Sequence, residues 1–435
     1  MAADDWDVIV VGAGPAGASA ALVLARAGRR VALVERGPFP GSKNMYGGVV
    51  YGRVLDDLVP RWWEQVPLQR WITRRQTMAL TATRALTVDY RTDAWGREPY
   101  NGCTTFRADF DAWLAGLAEE AGATLLCATT VTGLVLDGGS GRVTGVRTDR
   151  GDLAAPLVIA CDGVNSFLAK EAGLYPHGDD PAHMTLGVKE VLGFDRRTID
   201  ERFGVRGDEG VDIEILGCTG EVPGGGFVYT NAESVSIGVV LQVSALGASG
   251  TRPEAFVADL KAHPALAPLV EGGDVTEYSA HLIPEGGYDT MPEIVGDGLL
   301  VAGDAAGLCL AAGIWLEGVN FAIGSGAAAG EAALEALAGA DTSAKGLAGY
   351  RRRLESSFVL QDHRKLRRAP GFVLSDRVQW HYPQLACDLV EQLFTVENPR
   401  RKKGGMAAAR IALRRSDLRV RDLARDAWTA WRTFG

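Results

Sequence analysis

Val8-Ile9-Val10-Val11-Gly12-Ala13-Gly14-Pro15-Ala16-Gly17, followed by Val31-Ala32-Leu33-Val34-Glu35-Arg36, is the stretch from which the fold follows. It reads as a buried strand, a Gly-x-Gly-x-x-Gly turn, an Ala-rich helix and a second strand ending in an acid. Gly12 permits the tight turn, Gly14 lets the backbone approach a pyrophosphate, and Gly17 lets helix and strand pack closely. Backbone N–H groups of the turn and helix start, at Ala13 and Ala16 with Pro15 opening the helix between them, would receive the negative charge together with the helix dipole. Glu35 would accept hydrogen bonds from ribose hydroxyls, which argues against a 2′-phosphate there. A lone glycine pattern is an ordinary loop more often than not. Both strands, the helix and the acid in register make it a dinucleotide site.

That fingerprint serves NAD and FAD alike. Gly298-Leu299-Leu300-Val301-Ala302-Gly303-Asp304 is a second buried strand ending in Gly-Asp. It resembles the segment of FAD enzymes of the glutathione-reductase type in which the Asp binds a ribityl hydroxyl. Gly313-Ile314-Trp315-Leu316-Glu317-Gly318-Val319-Asn320 resembles the segment that follows. There a helix starts beneath the flavin, its positive end favouring negative charge on the ring. This implies cofactor contacts at Gly303, Asp304, Gly313 and Asn320. Leu157 to Ser166 resembles the superfamily's Asp-Gly motif, with Asp162 and Gly163. Thr105-Phe106-Arg107, before an amphipathic helix bearing Phe110, Trp113, Leu114 and Leu117, resembles the segment that brings an Arg to the phosphates or ribose. Arg36 and Val131 complete the expected contacts on the adenosine side. These matches stand in family order from Gly12 to Asn320 and imply FAD, with NAD a poor second.

The expected fold class is therefore α/β (α+β): a Rossmann-like FAD-binding domain of glutathione-reductase type, an inserted antiparallel-sheet domain and a helical C-terminal region. At 435 residues the chain is long enough for both halves. The cofactor domain is expected at 1–85, 100–175 and 285–345, where its motifs fall. Alternating segments such as Met78 to Thr83 and Ser236 to Leu241 suggest an antiparallel sheet, assigned to 86–99 and 176–284 and roofing the ring. From 346 the pattern turns helical: Tyr350 to Leu366, a Pro-containing connection, 384–395 and a basic tail.

The six cysteines (103, 127, 161, 218, 309 and 387) include no Cys-x-x-Cys pair, so neither an iron–sulfur nor a zinc site is expected. Free thiols, no apolar run of membrane-spanning length and a first strand at the N-terminus lead to an expected cytoplasmic location. Nucleic acid is not an expected partner. Net charge is −9, yet residues 397–435 carry eleven Lys/Arg against four Asp/Glu. Leu413, Val420, Leu423, Ala424, Ala427, Trp428 and Trp431 fall near one helical face of that tail. Such a helix either docks on the inner face of the cell membrane or an acidic partner, or packs its Trp side chains onto its own protein. The run Arg364-Lys365-Leu366-Arg367-Arg368 flanks the same face or is a solvated helix end.

A narrower resemblance covers nearly the whole chain. Lys43-Asn44-Met45-Tyr46-Gly47-Gly48-Val49-Val50-Tyr51 is similar to a segment of FixC-type flavoproteins, bacterial relatives of electron-transfer flavoprotein–quinone oxidoreductase. Gly187-Val188-Lys189-Glu190, Gly224 to Asn231, Tyr278 to Gly287 and Tyr350 to Ser356 continue it in order. The resemblance implies an FAD-dependent oxidoreductase that takes electrons from the two-subunit electron-transfer flavoprotein and passes them toward quinone. A separate FixX-like ferredoxin would supply the cluster that this chain has no cysteines to bind. Lys43, Gly47 and Gly48 are expected beside the cofactor. The loop from Tyr278 to Gly287 is the expected wall of a quinone slot, with Gly286 and Gly287 allowing close approach. His281 and Trp315 are the side chains considered for a direct role, against plain structural readings of each. Glu317 departs from the family pattern, where positive charge is more familiar. Geranylgeranyl reductases and single-component monooxygenases share the Asp-Gly motif and remain the alternative. The Trp-x-Trp-x-Ile-Pro pattern of halogenases is missing, and intact cofactor motifs disfavour a flavin-free prenyl-protein escort.

Overall fold

Four buried, β-branched residues make Val8–Val11 a strand that pairs in parallel on both sides. Val8 stands opposite Val31 on one flank and Ile9 opposite Val158 on the other. The computed structural model describes residues 6–43, 48–175, 180–313 and 315–435. In it Leu299–Val301 extends the sheet beyond Val158–Ala160, and Thr124–Leu126 extends it beyond Val31–Val34. An antiparallel Val295–Gly296 closes one edge. Helices cover this sheet, so its strands are apolar on both faces, as parallel strands usually are. Val8–Val11 is the point at which strand order reverses, and a crevice opens outside the carboxyl ends of strands at such a point.

The helix Pro15–Arg26 follows the first strand directly. A second helix, Val319–Ala338, crosses it where small residues meet. A Cβ on Gly326 would lie 2.0 Å from the Ala16 carbonyl oxygen, so only glycine allows this approach. The crossing places the N-terminal ends of both helices at the same crevice.

A nine-stranded sheet forms the other half. Its path runs Asp274–Pro284, Met184–Gly193, Ser234–Gln242, Gly224–Thr230, Glu209–Leu216, Arg70–Leu80, Cys103–Thr105 and Gly48–Val50. Ala85–Arg91 pairs with Arg70–Leu80 off that path. Glu209–Leu216 runs parallel to Arg70–Leu80, and the remaining pairings are antiparallel. One face packs Val211, Ile213 and Ile215 with Phe256, Val257 and Leu260 in a second core. The sequence division at residue 85 differs from this topology. Gly48–Val50, Arg70–Leu80 and Cys103–Thr105 fall in stretches expected of the cofactor half, yet they hydrogen-bond into the large sheet. Their partners are distant in sequence, so local composition gave no boundary signal. The expected loop from Tyr278 to Gly287 is likewise strand as far as Pro284.

The C-terminal helices also differ in detail from the expected ones. Tyr350 to Leu366 is broken at Ser357, whose extended backbone ends Gly349–Ser356 and whose Oγ accepts the Val359 N–H at 3.3 Å. The basic tail forms two helices, Gly405–Arg415 and Val420–Phe434. Asp426 anchors the last one, accepting from Arg377 Nη2 at 2.7 Å and Tyr382 Oη at 2.5 Å. Phe434 packs against Trp315 and Phe372. Those inward contacts leave Trp428 and Trp431 59% and 64% exposed, with ring centroids 5.0 Å apart. The two Trp rings are thus largely exposed, and Phe434 is the aromatic residue of this helix that packs onto the protein.

Candidate active site

Between the two sheets lies a cavity of about 580 Å³. Gly12 forms its floor at φ +97°, and a Cβ there would stand 2.3 Å from the Cys161 carbonyl oxygen. Gly14, Pro15 and Ala16 line the cavity where Pro15–Arg26 begins. That helix has no side-chain cap and no acid in its first turn, so its free N–H groups suit an anionic group. Arg107 lines the same region, and its Nη2 is 3.9 Å from the place a Gly14 Cβ would occupy. Asp111 holds this guanidinium through a two-pronged pair at 2.8 and 2.9 Å.

Glu35 closes the far end. Its Oε2 accepts the Ala13 N–H at 3.1 Å and its Oε1 the Gly37 N–H at 2.6 Å. Two fixed oxygens with further lone pairs then face the cavity, the arrangement needed to receive ribose hydroxyls. Val131 lines the wall there, with exposed Arg36 and Lys43 at the rim.

In the middle stand Asp162, Gly163, Gly303 and Asp304. Asp162 Oδ2 accepts the Leu168 N–H at 3.1 Å, while Oδ1 is buried without a protein partner. Burial raises the Asp162 and Asp304 carboxyls above their ordinary range, with Arg107 and His281 opposing the shift at Asp304. Nothing lies within 4 Å of a notional Gly163 Cβ, so that backbone faces open space.

The ring end is framed by Gly48, which sits 3.2 Å (from its notional Cβ) off the Tyr229 ring, and by the start of Val319–Ala338. That helix also lacks a side-chain cap. Asn320 lines the cavity and donates from Nδ2 to Glu317 Oε2 at 2.5 Å. Glu317 therefore lies inside the site, where burial raises its carboxyl despite the Asn320 bond. His281 reaches the cavity from the edge strand on the same face as Ile283, with Glu285 following just past the strand end. Burial lowers its imidazole below the usual range, with Asp304 opposing.

Four expected site residues do not line this cavity. Ala13 acts through its N–H to Glu35. Gly17 is a packing residue whose Cβ would meet the Gly12 carbonyl oxygen at 1.8 Å. Gly313 lines a smaller neighbouring cavity. Trp315 packs on Phe434. Gly47 falls outside the described residues. Gly286 and Gly287 face Thr290 and Pro370 instead of forming the wall. Sequence reasoning missed Lys189, Tyr51 and Tyr229, which line the cavity. Lys189 is 1% exposed, and burial pushes its ammonium well below the usual range, with Glu277 opposing and Arg107 adding to the shift. The period of two shared with Gly187 was the available signal.

The smaller cavity, about 100 Å³, is lined mainly by apolar groups. It shares Phe227, Val240, Glu285 and Leu316 with the larger one. Pro370, Val373 and Leu374 border it from the C-terminal region.

A long cavity with two open helix starts, a ribose acceptor and glycine backbones in open space fits FAD. A family model described as FAD dependent oxidoreductase matches residues 7–196. A probable electron transfer flavoprotein-quinone oxidoreductase of Escherichia coli, YdiS, is 39% identical over 398 residues, covering 91% of this chain and 92% of the relative. Protein FixC of Azorhizobium caulinodans is 41% identical over 403 residues, with the same coverage. The chain belongs to the FixC and electron-transfer flavoprotein–quinone oxidoreductase family. A geranylgeranyl bacteriochlorophyll reductase-like structure from Thermoplasma acidophilum is similar in fold, with a TM-score of 0.72 at 22% identity over 97% of this chain and 99% of that one. As a member of this family, the chain is an FAD-dependent oxidoreductase.

Proposed function

We propose that this enzyme accepts electrons from a reduced electron-transfer flavoprotein and passes them to a quinone whose ring enters the smaller cavity. The observation that carries this reading is the adjacency of that apolar cavity to the FAD cavity through Phe227, Val240, Glu285 and Leu316. Quinones are apolar rings with two acceptor oxygens and suit a slot of this kind. The names borne by relatives at about 40% identity support the same donor and acceptor. When bound, FAD would supply the redox chemistry. The chain's part is to orient it. Glu35 would hold the adenosine end, Arg107 and the helix start at Pro15 the phosphates, and Asp304 the ribityl chain. The uncapped start of Val319–Ala338 favours negative charge at the ring, and Glu317 opposes it.

No helix among the described residues is long and apolar enough to cross a membrane. Access to a membrane quinone instead comes through peripheral docking. The helix Val420–Phe434 presents Val420, Trp428 and Trp431 outward from a strongly basic tail. Aromatic side chains with Arg around them bind an anionic lipid surface. The helix Ala369–Val373 lies against this C-terminal helix and borders the smaller cavity, so a single short helix separates the slot from the element that carries the exposed Trp rings. A separate ferredoxin-like subunit would provide any cluster.

The test is anaerobic turnover with reduced electron-transfer flavoprotein as donor and a short-chain ubiquinone as acceptor. Quinol formation supports the reading. Reduction by NADPH with hydroxylated product once O₂ is admitted, or saturation of an isoprenoid double bond, would favour the alternative enzymes on this fold.

A further inference from the structure

Two carboxyl groups line the smaller cavity: Glu214 and Glu285. Glu214 belongs to a buried cluster. Asp212 and Glu214, two apart on Glu209–Leu216, share a face of the sheet away from Ile213 and Ile215. Arg75 on the adjacent strand serves both, with Nε 3.2 Å from Asp212 Oδ2 and Nη2 hydrogen-bonded to Glu214 Oε1. The guanidinium sits 5.8 Å from the Tyr51 ring centroid. Tyr229 and Glu317 are the other titratable groups coupled to this cluster, through Asp212, Glu214, Tyr51 and Arg75. Asp212 is 3% exposed, and its Oδ1 is buried with no hydrogen-bond partner.

Two carboxylates against one guanidinium leave a buried negative charge uncompensated. An uncompensated charge in apolar surroundings is costly, and neutralisation by a proton relieves it. Burial and mutual repulsion accordingly push the Asp212–Glu214 pair up, with Arg75 opposing. Burial pushes Glu285 up to about 7, and Cys309 lies near enough to feel its charge. At neutral pH the apolar slot is thus bordered by two carboxyls able to hold protons.

Quinone reduction consumes two electrons and two protons. We propose that Glu214 and Glu285 are the proton donors to the two oxygens of a quinone bound in the smaller cavity. Arg75 and Asp212 are positioning residues that hold Glu214 and stabilise its carboxylate after transfer. The inference rests on the quinone reading above. The quinone gains two electrons from the enzyme's reduced cofactor, two O–H bonds form, and two carboxylates remain. Water then returns a proton to each.

The experiment uses chemically reduced holoenzyme mixed with a short-chain ubiquinone or with ferricenium, an acceptor that takes electrons without protons. Reoxidation is followed at the flavin band against pH, in H₂O and D₂O. Glu214→Gln is expected to slow the quinone reaction about 100-fold, within the usual range for a positioned acid. The solvent isotope effect and one limb of the pH profile should change with it. Slowing confined to quinone supports the inference. Equal slowing with both acceptors, or a variant matching the parent rate and pH profile with quinone, overturns it. If the parent enzyme reduces ferricenium but no quinone, the functional reading itself fails. Infrared titration of the parent and of Glu214→Gln gives a second measurement. A protonated-carboxyl band present at neutral pH in the parent and missing from the variant is expected, and identical bands in the two would overturn the proposal.

Discussion

Arg107 and Asp111 stand one helical turn apart and meet through two parallel bonds, Nε to Oδ1 at 2.8 Å and Nη2 to Oδ2 at 2.9 Å. Asp111 is fully buried, so the fork fixes the guanidinium beside the phosphate turn at Gly14. Asp111→Asn keeps the shape and removes the charge and one acceptor. FAD should bind about tenfold more weakly, since hydrogen bonds to charged groups contribute about 1.5–3 kcal/mol. Titration of the apoprotein with FAD, followed by flavin fluorescence, reads this directly. Unchanged affinity would remove Arg107 from the phosphate site.

Glu35 makes a different kind of contact, because its carboxylate also organises the glycine turn through Ala13 and Gly37. Glu35→Ala should weaken FAD by about 10- to 100-fold through lost ribose bonds and a loosened turn. Calorimetric titration checks it.

The helix crossing sets the stability of the cofactor half. Gly326→Val drives a side chain into the Ala16 carbonyl and should cost about 2–3 kcal/mol. Gly116, in the helix Arg107–Glu120, has nothing within 4 Å of its notional Cβ. Gly116→Ala should stabilise by about 0.5–1 kcal/mol. Denaturant unfolding of the two variants is expected to shift in opposite directions.

Glu285 makes stability depend on pH. Its carboxyl is raised from 4.5 to about 7 by burial. The folded chain therefore holds this proton more tightly than the unfolded chain. The resulting stabilisation is fully present below the unfolded value and lost as pH rises through about 7. The apoprotein should lose stability across that window, and Glu285→Gln should flatten the loss. Urea unfolding at several pH values measures the slope.

The last helix predicts membrane behaviour. Replacing both Trp428 and Trp431 by Ala should lower binding to anionic vesicles by at least about tenfold, given the apolar area each indole buries. The fold should be unaffected, since Asp426 and Phe434 anchor the opposite face. Vesicle flotation at low and high salt tests it, with salt weakening what the Arg residues contribute.

The cofactor half was legible because its determinants are local. Gly12 to Gly17, Glu35, Asp162-Gly163 and Gly303-Asp304 each sit at the end of a short apolar strand, and those strand ends converge by topology alone. The ring side was less legible. Arg70–Leu80 pairs on one side with Glu209–Leu216, more than a hundred residues away, and nothing within the strand marks that partner. Asp212 and Glu214 alternate with Val211, Ile213 and Ile215, a pattern that reads as an ordinary half-solvated strand until a second layer covers it. Trp315 misled for the opposite reason. Its neighbour Leu316 and then Glu317 enter the site, but its own ring turns to Phe434, a partner at the far end of the chain.

The most direct measurement is anaerobic stopped-flow reduction of the purified yellow enzyme, comparing reduced electron-transfer flavoprotein with NADPH. Bleaching of the bound flavin by the flavoprotein, reversed on adding ubiquinone, is the predicted result. Rapid bleaching by NADPH with no response to the flavoprotein would contradict it.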